Sequence, residues 1–308
     1  MFKRLTVLIL VLALLSACQT TVQVEDKPQI MVSLFPQYDI IRQIAQDKVD
    51  VELFLPAGSE PHSYEPSAST LMKIVEADLF VYSSDELEPW VKRLVEGNAS
   101  EDLIVLDASN GITLLEADHG HEGEDEDEEE LAFDPHYWLD PQNMIIMSES
   151  IRDALIEIDP ENEAFYIENA NSYIASLKEL DSNWQDLFDR AQLNQIIYGG
   201  HFAFGYLSHR FGLEILSPYS GYAPDAEPSA QALAGLMDVL AEKEINVIFY
   251  EELIDPRVAR IIAEQAKVKI EVLHGAHNLN AEEMQAGWTY VSIMEDNIEK
   301  LKEALRYE

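Results

Sequence analysis

Residues 161–190 read ENEAFYIENANSYIASLKELDSNWQDLFDR, an amphipathic run without an internal glycine. Pro160, directly ahead of it, suits a first helical turn. At about 1.5 Å per residue, some 30 residues make a rod of roughly 45 Å, long enough to cross from one lobe of a protein to another. On both sides of this rod, short apolar runs alternate with amphipathic stretches, the signature of α/β units around a parallel sheet. The expected fold class is therefore α/β: two similar α/β lobes with central, mostly parallel sheets, joined by a long rigid linker helix. The lobes are expected at 29–158 and 192–308, and the linker at 159–191.

In the first lobe the pattern predicts strands at 30–34, 51–55, 79–82 and 103–106, with helices near 37–46, 67–76, 86–96 and 142–158. In the second it predicts strands at 195–198, 213–216, 246–250 and 269–273, helices at 229–243 and 256–266, and one closing helix over 281–307. Gly199 and Gly200 are expected to allow a tight turn ahead of a further helix. A short repeat supports two lobes of similar build. Glu65-Pro66-Ser67-Ala68 precedes a helix and then Leu79-Phe80-Val81-Tyr82; Glu227-Pro228-Ser229-Ala230 precedes a helix and then Val247-Ile248-Phe249-Tyr250.

With 308 residues and 47% hydrophobic content, each lobe can have its own core. The net charge of -38 argues against a nucleic-acid partner and against a basic membrane-binding face. Residues 1–17 carry Lys3 and Arg4 ahead of an apolar run from Leu5 to Leu15, the form of an export signal and too short to span a bilayer. Leu15-Ser16-Ala17-Cys18 resembles the lipobox of bacterial lipoproteins, which implies lipidation at Cys18, with residues 18–28 as a tether. Cys18 is the single cysteine, so neither a disulfide nor a thiolate metal site is available. Between about 116 and 131 the chain is low-complexity and acidic, and holds His119 and His121. It reads either as a solvated insertion or as a weak cation-gathering loop.

Asp134-Pro135-His136-Tyr137-Trp138-Leu139-Asp140-Pro141 sets one histidine between two Asp-Pro steps, each of which biases its Asp away from helix, so the imidazole sits in a stiff turn. His62, His201 and His277 likewise follow predicted strands. In open α/β sheets ligands bind beyond the carboxyl ends of the strands, so these loops place the four histidines at the cleft between the lobes. Together they can supply the nitrogen donors of one tetrahedral zinc site, whereas calcium and magnesium want oxygen cages and manganese prefers carboxylates. Glu60 can replace or supplement a ligand, and Glu251 is a further acidic candidate; both also read as orienting or capping carboxylates. His209 reads as a packing or surface residue. A rival class is a zinc hydrolase with three histidines, an open position and Glu60 or Glu251 as base, although no His-Glu-x-x-His motif is present.

The loop Pro61-His62-Ser63-Tyr64-Glu65-Pro66, the Asp134 to Pro141 loop, His201-Phe202-Ala203-Phe204 and the closing helix resemble the zinc/manganese solute-binding lipoproteins of bacterial ABC importers. The resemblance implies metal held between two α/β lobes joined by a rigid helix. By position, His62, His136 and His201 match that family's first three ligands. Manganese members tend to carry a carboxylate at the third, so His201 favours zinc. Zinc-binding relatives often place a Glu in the loop before the last helix; here His277 stands at that place, with His274 as its rival. The acidic loop is similar to the family's His-rich loops but holds two histidines only. The resemblance further implies a monomeric, extracytoplasmic, lipid-anchored protein that captures Zn²⁺ and delivers it to an ABC permease. A manganese-binding member and a surface adhesin are the alternatives. Binding needs neutral imidazoles, so affinity is expected to fall below about pH 6.5.

Overall fold

The computed structural model describes residues 27–308 apart from 63, 99, 101, 118–130, 202, 219–229 and 244. Cys18, the expected export signal, His119 and His121 fall outside the described residues. Strands β1 (Gln29–Val32), β2 (Asp50–Leu53), β3 (Leu79–Tyr82) and β4 (Ile104–Asp107) form a sheet in the order β2-β1-β3-β4. Strands β5 (Gln195–Tyr198), β6 (Glu214–Leu216), β7 (Val247–Tyr250) and β8 (Lys269–Val272) form another in the order β6-β5-β7-β8. Every pairing in both is parallel. The two sheets thus share one topology, and the two-lobe reading holds. β3 is buried throughout, as expected of a central parallel strand covered on both faces, which is why it reads as an unbroken apolar run.

In chain order the helices are α1 (Phe35–Ala45), α2 (Ala68–Glu76), α3 (Trp90–Asn98), α4 (Pro141–Ile158), α5 (Glu163–Arg190), α6 (Gly205–Phe211), α7 (Ala230–Lys243), α8 (Arg257–Ala266), α9 (Ala281–Ala286) and α10 (Tyr290–Ala304). The rod is α5. It buries Tyr166, Ala170, Tyr173, Ile174, Leu177, Leu180, Trp184 and Leu187, spaced three and four apart along one face. That face packs on α1 and α4 of the first lobe and on α10 of the second. Each leucine buried there contributes roughly 1.5–3 kcal/mol, so the rod is held by packing more than by helix propensity.

Polar ties add direction. Asp39 Oδ2 on α1 accepts from the Tyr173 hydroxyl at 3.0 Å and from the backbone N–H of Tyr290 at 3.1 Å. One carboxylate so joins α1, the rod and α10. Arg210 on α6 reaches Asp140 at 2.6 Å and Asp181 on the rod at 2.5 Å. One contiguous hydrophobic core includes Val32, Trp138, Trp184, Phe249 and Leu273 and thus runs through both lobes. Among the described residues no helix is long and apolar enough to cross a membrane.

Three local expectations change. The closing helix is two helices, α9 and α10, because Gly287 adopts a left-handed conformation (φ +73°) and Thr289 then starts a new helix with a capping box. The helix expected from 86 starts at Trp90. Pro89 disfavours helix at Glu88, and the buried Glu88 carboxylate instead accepts from Ser83 N–H at 2.6 Å and the Ser33 hydroxyl at 2.8 Å. Gly199 and Gly200 do not use positive φ; they allow close approach. A Cβ on Gly199 would lie 2.8 Å from that of Ala259, and one on Gly200 2.7 Å from Glu251 Oε2.

Candidate metal centre

All the candidate ligands leave the carboxyl ends of strands. The loop after β2 carries Glu60 and His62, that after β4 His136, that after β5 His201, that after β7 Glu251 and Glu252, and that after β8 His274 and His277. Loops of the two lobes lock together there. Trp138 donates its indole N–H to the Gly275 carbonyl at 2.8 Å, Asn278 donates to the carbonyls of Pro56 and Ser59 at 2.8 and 2.9 Å, and Phe35 N–H donates to the His277 carbonyl at 3.1 Å. The site is therefore built on cross-lobe backbone contacts.

His62, His136 and His201 meet as a triangle with ring centroids 5.1, 5.1 and 5.2 Å apart. His136 Nε2 lies 3.1 Å from His62 Nε2 and 3.2 Å from His201 Nε2. Tetrahedral zinc with Zn–N bonds of about 2.0 Å sets neighbouring nitrogens about 3.3 Å apart, so these spacings fit its edges. The other ring nitrogens of His136 and His201 are engaged. Asp134 Oδ1 accepts from His136 Nδ1–H at 2.8 Å, and Glu251 Oε2 accepts from His201 Nδ1–H at 2.8 Å. With Nδ1 carrying the proton, Nε2 of each presents a lone pair to its neighbour, an arrangement that calls for a cation.

Charge favours the neutral ring at two of the three histidines. Burial, and then the neighbouring imidazoles, hold His62 and His136 well below the ordinary imidazole value. Burial also pulls His201 down, but the hydrogen bond and charge of Glu251 outweigh it and its pKa stands above the ordinary value. Burial pushes Asp134 up to about 7. His62 is the least buried of the three and borders an open pocket with Tyr64, Trp90 and Arg93.

His277 does not join the mutual grouping of the three histidines; it groups with Glu60 and Glu251, one ligand atom of each lying within 4.8 Å of the others. His277 is buried, and its Nε2 has no hydrogen-bond partner and lies 3.9 Å from Glu60 Oε2. His274 sits elsewhere, 3.1 Å from Glu252 and 3.7 Å from Glu283, with its backbone bonded to Asn297. Burial lowers its pKa, but Glu252 and Glu283 raise it to about 9. Glu252 also lies 3.5 Å from His277 Nδ1 and accepts from Gly275 N–H. Burial raises Glu252, but His274 and His277 together bring it down to about 2. His209 is exposed on α6.

Sequence reasoning overlooked Asp134 and Glu252 as partners of histidines. Asp134 was legible as a carboxylate two residues before a ligand, the spacing that lets one side chain bond both the backbone and ring of that histidine. Nothing in the sequence links Glu252 to residues 274–277.

The chain matches the family model described as "Zinc-uptake complex component A periplasmic" over residues 30–304. It is 35% identical over 289 residues to the high-affinity zinc uptake system protein ZnuA of Bacillus subtilis, covering 91% of this chain and 88% of that protein. It is 36% identical over 292 residues to the zinc-binding lipoprotein AdcA of Streptococcus pneumoniae, covering 94% of this chain. The chain spans 58% of the length of that AdcA. The crystal structure of the Zn(II)-bound ZnuA-like domain of the S. pneumoniae AdcA superposes with a TM-score of 0.76 at 35% identity, covering 91% of this chain and 99% of that one.

Proposed function

The chain belongs to the family of periplasmic zinc-uptake component A proteins, and on that footing we propose that it captures Zn²⁺ outside the cytoplasm and hands it to the permease of an ABC importer. The observation that carries this is the triangle of Nε2 atoms of His62, His136 and His201, spaced for one zinc and each held by its loop. An all-nitrogen triad suits zinc better than manganese, which prefers carboxylates. His277 supplies the fourth ligand by turning its Nε2, which has no hydrogen-bond partner, toward the triad; Glu60 is the rival for that position. Lobes over 29–158 and 192–308, with 159–191 between them, give the ion ligands from both sides. Lipidation at Cys18 would keep the protein beside its permease.

Capture uses the chain's own charges. Carboxylates on Nδ1 of His136 and His201 make both imidazoles better donors, and burial keeps His62 and His136 unprotonated so that zinc meets little competition from protons. Release needs the permease to disturb the interlocked loops. The test is zinc titration by competition with a chelator, beside His136→Ala and His277→Ala. Tight zinc lost in His136→Ala and weakened in His277→Ala is expected; tight zinc retained in His136→Ala would exclude the triad.

A further inference from the structure

Beside the triad lies a second set of polar atoms, of which a single zinc takes at most one as its fourth ligand. Glu60 Oε2, Glu251 Oε1 and His277 Nε2 are each buried without a hydrogen-bond partner. His277 is 1% exposed and Glu251 2%. A fourth such atom, the Tyr198 hydroxyl, is also buried without a partner. Buried polar groups are normally bonded, and buried charges are paired or coordinate metals. Several such groups converging on one spot mark a place for an ion.

We propose that Glu60, Glu251 and His277 form a second divalent-cation position, next to the three-histidine one and sharing Glu251 with it. Two carboxylate oxygens and one imidazole nitrogen lie within 4.8 Å of each other, and the two carboxylates neutralise a divalent charge. Glu251 serves both positions: Oε2 bonds His201 while Oε1 faces the second ion. The donor set is harder than three imidazoles, so this position accepts zinc less tightly and discriminates less against oxygen-seeking divalent ions. The inference rests on the zinc-capture reading. With one zinc bound His277 completes the triad; with two it stays with the carboxylates.

The test loads the purified full chain with two equivalents of zinc and measures stoichiometry by native mass spectrometry and ion positions by zinc-edge anomalous scattering from crystals. Two bound ions are expected, with one anomalous peak among His62, His136 and His201 and one among Glu60, Glu251 and His277. Glu60→Gln keeps an oxygen for the His62 backbone N–H, removes the charge, and is expected to bind one equivalent fewer. Glu65→Gln, an exposed carboxylate of the same loop, is expected to keep both. One ion among the histidines, with the same stoichiometry in Glu60→Gln, overturns the second position and leaves zinc capture standing. No ion among the histidines overturns both. The anomalous map of the wild-type chain decides even if Glu60→Gln does not fold.

Discussion

Oε2 of Glu251 accepts from both the backbone N–H and the ring Nδ1–H of His201, at 3.2 and 2.8 Å. Asp134 Oδ1 treats His136 the same way, at 2.9 and 2.8 Å. One oxygen so fixes where the ring lies and which nitrogen carries its proton. Orienting partners of this kind typically account for roughly 10–100-fold in metal affinity. Glu251→Gln is expected to weaken zinc binding by about that factor, read from chelator competition. An unchanged affinity would mean that His201 needs no orienting carboxylate.

The same carboxylate sets the pH response. Zinc must displace any proton on His201 Nε2, and the His201 pKa is raised above 6.5, so that proton competes first. As pH is lowered, affinity is expected to start falling while pH is still above 6.5, earlier than an ordinary imidazole implies, by about tenfold per unit once His201 is protonated, while His62 and His136 join only at lower pH. In Glu251→Gln the onset moves to lower pH. Zinc titrations across the neutral range check this; a wild-type profile that stays flat down to pH 6 would contradict it.

His274 and Glu252 lie 3.1 Å apart, buried and away from the triad, so each favours the other's charged form, while Ala276 N–H points at the same His274 Nδ1 from 2.9 Å and competes with its proton. His274 is raised from 6.5 to about 9, so its contribution is complete below 6.5 and is lost as pH rises through about 9. Glu252 is depressed from 4.5 to about 2, so its contribution is complete above 4.5 and is lost as pH falls through about 2. His274→Ala leaves Glu252 buried and short of a partner, at a cost of roughly 3–5 kcal/mol. Thermal melts of the metal-free protein should show that deficit near pH 6 and a smaller one near pH 10. Equal deficits at both would rule out the ion pair as the cause.

Gly200→Ala tests the close approach of the β5 loop to β7. Its Cβ would lie 2.7 Å from Glu251 Oε2, 2.8 Å from Glu251 Cβ and 2.8 Å from a Tyr198 ring carbon. Relief requires Glu251 to leave His201, so zinc affinity is expected to drop along with a destabilisation of about 1–3 kcal/mol from overpacking. Gly58→Ala, whose Cβ would meet nothing within 4 Å, separates this from a general glycine effect: its positive φ costs stability while zinc binding persists.

Much of the fold was legible in the chain because parallel strands write themselves as apolar runs and a rod as a long amphipathic one. Leu79 to Tyr82 and Gln195 to Tyr198 fall where the pattern put them. The three triangle histidines were legible too, since each follows a strand end. What stayed hidden depends on distance in space. Glu252 finds Gly275, His274 and His277 only because β7 and β8 lie side by side, and no spacing in the sequence encodes that pairing. The break at Gly287 was hidden because one glycine inside an amphipathic run reads equally as a tolerated residue or a stop.

The rod has a mechanical consequence. Its buried face is bonded to α1 through Tyr173 and packs on α10, its Asp181 pairs with Arg210 of α6, and a single core runs past it into both lobes. Rotating one lobe against the other would tear that core, so the two sheets behave as the fixed jaws of a calliper set to one opening. On the zinc-capture proposal, accepting and surrendering the ion is work for the short loops at the jaw tips, and that is where a membrane partner would have to act.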